Sequence, residues 1–367
     1  MPNTSADERR GIPVGINVLL TLVVLILSLV GVNQRVVSSS FELPQDGSTV
    51  VGRVRVLAPS SDNTLVDIAR HFNLGHHEII GANPGVNVWL PGVGVDVVVP
   101  GQFILPPKPW EGVVINIPQR RLFYFPEAEE GQAPQVMTFP VSIAREGWST
   151  PLGLTQVIAK HKDPAWFVPS SIRKEKFEEG ELDFPTYFPP GPNNPMGMLA
   201  IQIGFPGIFI HGTNRPWGVG MRVSHGCLHL YPEDAALLFP TIKAGTSVRV
   251  IDQPFLVGVL GDRLLMTSYK PISEYGETDS AFTRAVIALA PYIRQRSDEN
   301  KLIYDVEWKK VDGLLENQQT VPLDILVGAE SGREKIAGLM VELYDFPPYD
   351  IDANDARPPG EEPGQKD

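Results

Sequence analysis

The chain has 367 residues, enough at roughly 150 residues per domain for two to three domains with a real core. Hydrophobic residues at 43% and charged residues at 20% exclude wholesale disorder, while 35 prolines and 34 glycines break the chain into many short strands and turns. These many short strands and turns make the expected fold mainly β (α+β overall), and a formal net charge of −12 excludes the clustered Lys and Arg surface that nucleic-acid binding needs, so no nucleic-acid partner is expected.

Residues 12–32 carry no charge, and "INVLLTLVVLILSLVGV" follows Arg9 and Arg10 as an export signal or membrane anchor would. The apolar run exceeds the roughly 7 to 15 residues of a signal-peptide core and no A-x-A-like site follows, so residues 1–36 are read as an uncleaved anchor. The rest of the chain is then expected outside the cytoplasm. A single cysteine, Cys227, excludes an intrachain disulfide, and a free thiol outside the cytoplasm is a liability unless it has a chemical task.

In chain order, "VVGRVRVLAP" alternates as a strand, and "NTLVDIARHFNL" places Leu65, Ile68, Ala69 and Phe72 on one helical face. Gly75 is a helix stop, "HEIIGAN" a second short helix closed by Pro84, and "GVDVVVPGQFILP" a returning strand. The stretch "NTLVDIARHFNLGHHEIIGANPGVNVWLPGVGVDVVVP" resembles a LysM domain. The resemblance implies a small βααβ unit over 50–106 whose loops bind N-acetylglucosamine-containing glycan strands. Asn83 and Pro84 fall where that family carries Asn-Pro, a pair that serves equally well as a structural turn.

Over 111–252 nearly everything reads as strand: "VVINIPQRRLFYFP", "VMTFPVSIA", "LTQVIAKH", "MLAIQIG", "GIFIHGT" and "TSVRVID", with one helix, "YPEDAALLFPTI". Residues 163–198, dominated by proline and aromatic side chains, form a long excursion that shapes a surface as a lid would. An α/β extension occupies 253–352, with a hairpin across Gly261 and Asp262, a helix over 280–296 and a strand at "VPLDILVG"; no motif with chemistry appears there. Residues 353–367 are acidic and rich in proline and glycine, hence a disordered tail.

The chemistry concentrates in "VSHGCLHL". In one extended strand His225, Cys227 and His229 face the same way, and His211 could join them from a neighbouring strand. A zinc site is chemically acceptable, but alternate residues on one strand point parallel, whereas ligands of a tetrahedral ion converge. An inert core thiol is a second reading. A nucleophile needs a base within reach, for which His211 is the candidate, and backbone donors for an oxyanion, for which the amides of His225, Gly226 and Cys227 are candidates. Gly212 and Gly226 would let backbone approach closely. An imidazolium beside the thiol would raise its thiolate fraction.

The stretch "IHGTNRPWGVGMRVSHGCLHLYPEDA" resembles the active-site segment of the L,D-transpeptidase (YkuD-type) catalytic domain, whose pattern is a histidine followed, after an intervening segment, by Ser/Thr-His-Gly-Cys. The likeness extends over roughly 112–252. It implies a β-sandwich-like catalytic domain and a periplasmic protein acting on peptidoglycan stem peptides. Cys227 would be the nucleophile and His211 its base, with Ser224, His225 and Gly226 shaping the oxyanion site and no metal or cofactor. The implied reaction is attack on a stem tetrapeptide, release of D-alanine and transfer of the acyl group to an amine. That amine belongs to another stem, giving a 3-3 cross-link, or to an outer-membrane lipoprotein. Carbapenems would acylate the same thiol.

With water as acceptor the same site makes a carboxypeptidase or a cross-link-cleaving peptidase. A reading of another class is a non-catalytic, glycan-binding wall protein. It is prompted by His229, which stands where many relatives carry an arginine; at neutral pH a histidine would hold a substrate carboxylate weakly. Arg222 is a candidate to compensate, and Trp217 and Trp166 are candidate walls for the peptide or simple packing residues.

Overall fold

Short alternating runs build one mixed sheet of nine strands in the computed structural model, which describes residues 40–59, 63–276, 279–293 and 304–344. The bonded order is Ser40–Glu42, Gln135–Pro140, Arg121–Phe125, Gly112–Asn116, Ser247–Ile251, Gly153–Lys162, Leu199–Ile203, Phe209–His211 and Leu228–His229. The long strand Gly153–Lys162 belongs to both halves. Its start pairs with Ser247–Ile251 and its end with Leu199–Ile203, with a register shift between Val157 and Ala159. Val113, Ile115, Leu122 and Phe139 from one half share a core with Ile201, Ile203, Ile210 and Leu228 from the other. Leu238 and Phe239 of the helix Pro232–Thr241 close that core. The mainly β expectation holds, with both halves facing one apolar interior as in a sandwich.

Near the start of the described chain the helices Leu65–His71 and His76–Ala82 lie between the strands Arg55–Pro59 and Val97–Val99, which pair antiparallel. Thr64 and Asp67 cap the first helix reciprocally, which starts it where the apolar face begins. Gly75 is not the stop expected from sequence. The first helix ends at Phe72, Asn73 takes φ +53, and Gly75 is the N-cap of the second helix. Both strands expected as single runs are each broken in two. Gly52, at φ +76, separates Val50–Gly52 from Arg55–Pro59, and a Cβ there would sit 2.1 Å from Gly101 O. Gly101 in turn separates Val97–Val99 from Gln102–Ile104. Asn83 is buried, its amide nitrogen 2.7 Å from both Ile79 O and Val98 O and its oxygen 2.7 Å from Val98 N, so its side chain ties helix to strand.

This small unit is welded to the large sheet. Arg121 and Glu78, both buried, form a two-pronged ion pair at 2.8 and 2.7 Å, and Arg121 also donates to Asn73 O at 2.9 Å. The strand Val341–Tyr344, from the far end of the described chain, runs parallel to Arg55–Pro59.

Beyond residue 252, the hairpin Phe255–Leu260 and Arg263–Ser268 turns at Gly261 and Asp262 as expected. Its core, with Val257, Leu264 and Met266, is completed by Ala285 and Leu289 of the helix Ala281–Ile293 and by Val311 and Leu314 of a helix not anticipated, Trp308–Asn317. The proposed anchor over 1–36 and the tail over 353–367 lie outside the described residues. Among the described residues no helix is long and apolar enough to cross a membrane.

Candidate active site

The strands Phe209–His211 and Leu228–His229 pair in parallel, with Ile210 opposite Leu228 and His211 opposite His229. Cys227 immediately precedes the second strand, so alternation sets it one pleat behind His229 on the face that carries His211. The extended run expected through 225, 227 and 229 is interrupted. Arg222–Ser224 pairs with Ile143–Ala144 in a separate small sheet, and Gly226 turns the chain at φ +121. A Cβ on Gly226 would lie 2.9 Å from Ile208 Cδ1 and 3.2 Å from Ser149 O, so the turn requires glycine. Ser224 staples it: Oγ accepts from the Gly226 N–H at 3.1 Å and donates to Cys227 O at 2.6 Å. The Gly226 amide, expected as an oxyanion donor, is therefore committed within the turn.

Cys227 is half-buried, its Sγ 3.6 Å from Gly207 O, and burial pushes the thiol up to about 11. His211 is buried, with Nδ1 2.5 Å from Gly212 O. That contact assigns the proton to Nδ1 and leaves the lone pair on Nε2. Burial pushes the imidazole down to about 4. Burial thus favours the neutral thiol and the neutral imidazole at pH 7, so no imidazolium stands beside the thiol to raise its thiolate fraction. Gly212 contributes its carbonyl more than its lack of a side chain. A Cβ there would make an ordinary 3.6 Å contact with Ala235, whereas one on Gly197, at φ +64, would fall 3.0 Å from the Gly212 carbonyl carbon.

His225 leaves this pair and turns to the excursion. Its Nε2 is 2.7 Å from Glu175 on the helix Ser170–Glu178, and Trp148 meets its ring edge-on at 4.8 Å. Arg145 pairs with the same Glu175; burial, then Arg145 and Lys176, push the His225 imidazole down to about 4 against the opposing pull of Glu179. His229 is tilted against His211 with ring centroids 4.7 Å apart, and burial, then His211 and His225, push it well below the ordinary histidine range. A neutral His229 holds no carboxylate by charge at pH 7. Arg222 does not compensate either: its guanidinium is 2.5 Å from Glu274 and 3.1 Å from Ala144 O. Arg222 in turn contributes to holding the Glu274 carboxyl down at about 2 against the opposing effect of burial.

Trp217 is half-buried on the short turn Pro216–Gly218 between the two motif halves. Trp166 stacks on Phe188 across the small hairpin Trp166–Phe167 and Tyr187–Phe188, with centroids 5.5 Å apart. Among the described residues no group of three or more His, Cys, Asp or Glu is placed to hold a metal ion.

The family model for the L,D-transpeptidase catalytic domain, YkuD, matches residues 111–250. A Salmonella typhimurium protein named "Probable L,D-transpeptidase ErfK/SrfK" is 35% identical over 294 residues, covering 79% of this chain and 92% of that protein. The chain belongs to the L,D-transpeptidase family. An Escherichia coli K12 relative named "Probable L,D-transpeptidase YbiS" is 37% identical over 239 residues, 64% of this chain and 76% of its own length. Another from the same strain, "Probable L,D-transpeptidase YcfS", is 35% identical over 249 residues, 66% of this chain and 76% of that one.

In this L,D-transpeptidase several residues around the site carried no sequence signal. Glu175, Arg145, Glu274 and Thr150 sit in segments without a motif, and each reaches the Ser-His-Gly-Cys turn or its flank from a distant part of the chain. Charge in a surface-like run was the only trace of the first three.

Proposed function

We propose that this enzyme is a peptidoglycan L,D-transpeptidase in which Cys227 is the nucleophile and His211 the general base. The observation that carries the reading is the commitment of His211 Nδ1 to Gly212 O, 2.5 Å away, on the strand paired with the one Cys227 opens. A buried neutral imidazole with its lone pair on Nε2 is the form a general base requires. As His211 takes the thiol proton, Sγ bonds to the carbonyl carbon of the third residue of a stem tetrapeptide and the π pair moves onto oxygen. Collapse re-forms C=O, breaks the C–N bond, and D-alanine leaves with the proton from His211. An acceptor amine then attacks the thioester, gives a proton to His211, and the thiol re-forms as the C–S bond breaks. The amides of His225 and Cys227 are the candidate oxyanion donors left once the Gly226 amide is bonded to Ser224.

The remaining assignments extend this reading. The substrate lies outside the cytoplasm, and the uncharged run 12–32 supports a periplasmic enzyme anchored in the inner membrane. The LysM-like unit would hold glycan strands while Trp217 walls the stem peptide. The acceptor amine is that of a second stem or of an outer-membrane lipoprotein.

Purified sacculi incubated with the parent protein and with Cys227→Ala, followed by mass spectrometry of the released fragments, test the core of the proposal. Cross-linked or amine-adducted stems that lack the terminal D-alanine should form only with the parent. Stems shortened by D-alanine without an adduct would identify water as acceptor. Equal product from Cys227→Ala would overturn the cysteine mechanism.

A further inference from the structure

The peptide between Gly226 and Cys227 is held from a distance. Its carbonyl accepts from Thr150 Oγ1 at 2.7 Å, and Thr150 is fully buried. The Thr150 carbonyl in turn accepts from Tyr275 Oη at 2.8 Å. Tyr275 belongs to the short turn Ser273–Tyr275, packs against the main core beside Ile272, and lies beyond residue 250, where the match to the family model ends. Its neighbour Glu274 takes the Gly147 N–H at 3.0 Å and Arg222 at 2.5 Å. One turn of the C-terminal extension therefore grips the 147–150 loop at both ends, and that loop grips the Ser-His-Gly-Cys turn.

Peptide planarity gives this chain of contacts a chemical consequence. In a trans peptide the N–H points opposite to the C=O of the same plane, so fixing the Gly226 carbonyl fixes the direction of the Cys227 N–H. The groups around it are already committed: the Gly226 N–H to Ser224 Oγ and the Cys227 carbonyl to the Ser224 hydroxyl.

We propose that Thr150, held by Tyr275, is a positioning residue that aims the Cys227 N–H at the oxygen of the carbonyl under attack. The C-terminal extension then serves acyl transfer by supplying Tyr275 and Glu274 to that loop. The inference rests on Cys227 being the nucleophile.

The test separates a reaction that develops an oxyanion from one that does not. A carbapenem acylates the thiol as Sγ bonds to the lactam carbonyl carbon, the ring C–N bond opens and nitrogen takes the proton. Iodoacetamide alkylates it by displacing iodide from a saturated carbon. Both rates are read on the full-length protein by intact mass, for the parent, Thr150→Val, Thr150→Ser and Tyr275→Phe. Removing a direct oxyanion donor costs about 10²- to 10³-fold, so misaiming one through Thr150→Val should slow acylation by about 10- to 100-fold. Alkylation should stay within about threefold of the parent, and Thr150→Ser, which keeps the hydroxyl, should recover acylation to within about threefold. Tyr275→Phe should slow acylation by about 3- to 10-fold relative to alkylation, and it carries the test should Thr150→Val fail to fold.

Equal losses in both reactions, or no loss of acylation, would overturn the positioning role while leaving the nucleophile intact. A parent protein in which neither reagent modifies Cys227 would overturn the nucleophile reading itself.

Discussion

His229 stands directly opposite His211 in the parallel pairing of their strands, with ring centroids 4.7 Å apart and planes tilted by 46°. A buried and a half-buried imidazole at that separation resist protonation, because each charge would lose water and face the other. His229 is accordingly neutral well below pH 6.5. KM for a stem tetrapeptide should then stay flat from about pH 5.5 to 8.5, a range bracketing the ordinary histidine value. A KM that climbs through pH 6 to 7 in the parent, and flattens in His229→Arg, would show instead that a protonated His229 binds the substrate carboxylate.

The neutral resting state of the nucleophile has its own signature. With the thiol pushed up to about 11, its thiolate fraction grows about tenfold per pH unit throughout the neutral range. Alkylation of Cys227 by iodoacetamide should keep rising from about pH 7 to 10. A plateau already reached near pH 7 would indicate a preformed thiolate and imidazolium pair.

Acid should destabilise the fold through the same burial. An unfolded His211 titrates near 6.5 and the folded one near 4, so as pH falls through that window the unfolded chain binds the proton first and stability is lost. The contribution of His211 alone is about 3 kcal/mol at pH values below both. Melting temperatures of the parent and His211→Asn, compared between pH 7 and 4.5, should converge as pH falls; a constant gap would remove His211 from this role.

Removing one partner of the Glu78 and Arg121 pair leaves an uncompensated charge in a dry interior. Glu78→Ala should cost about 3 to 5 kcal/mol in denaturant titrations, because neither side chain is more than 4% exposed. A loss below about 1 kcal/mol would mean that water reaches the pair.

What the sequence by itself determined is the part encoded locally. The face of Leu65, Ile68 and Ala69 specifies a helix through spacing alone, and all three are buried. The alternation around "GIFIH" specifies a strand ending at His211, whereas the turn at Gly226, in a run that reads as extended strand, is imposed by Ile208 and Ser149 crowding that position. Tertiary structure decided everything that depends on partners brought from afar. Glycines 52 and 101 break two apparently continuous strands because their backbones meet each other, a contact no window of either segment contains. Arg222, a free cation on paper, is claimed by Glu274, 52 residues away, and His225 is drawn from its neighbours by Glu175, 50 residues before it. Burial set the protonation of His211, His229 and Cys227, since the cost of desolvating a charge depends on the surrounding protein and not on adjacent residues in the chain.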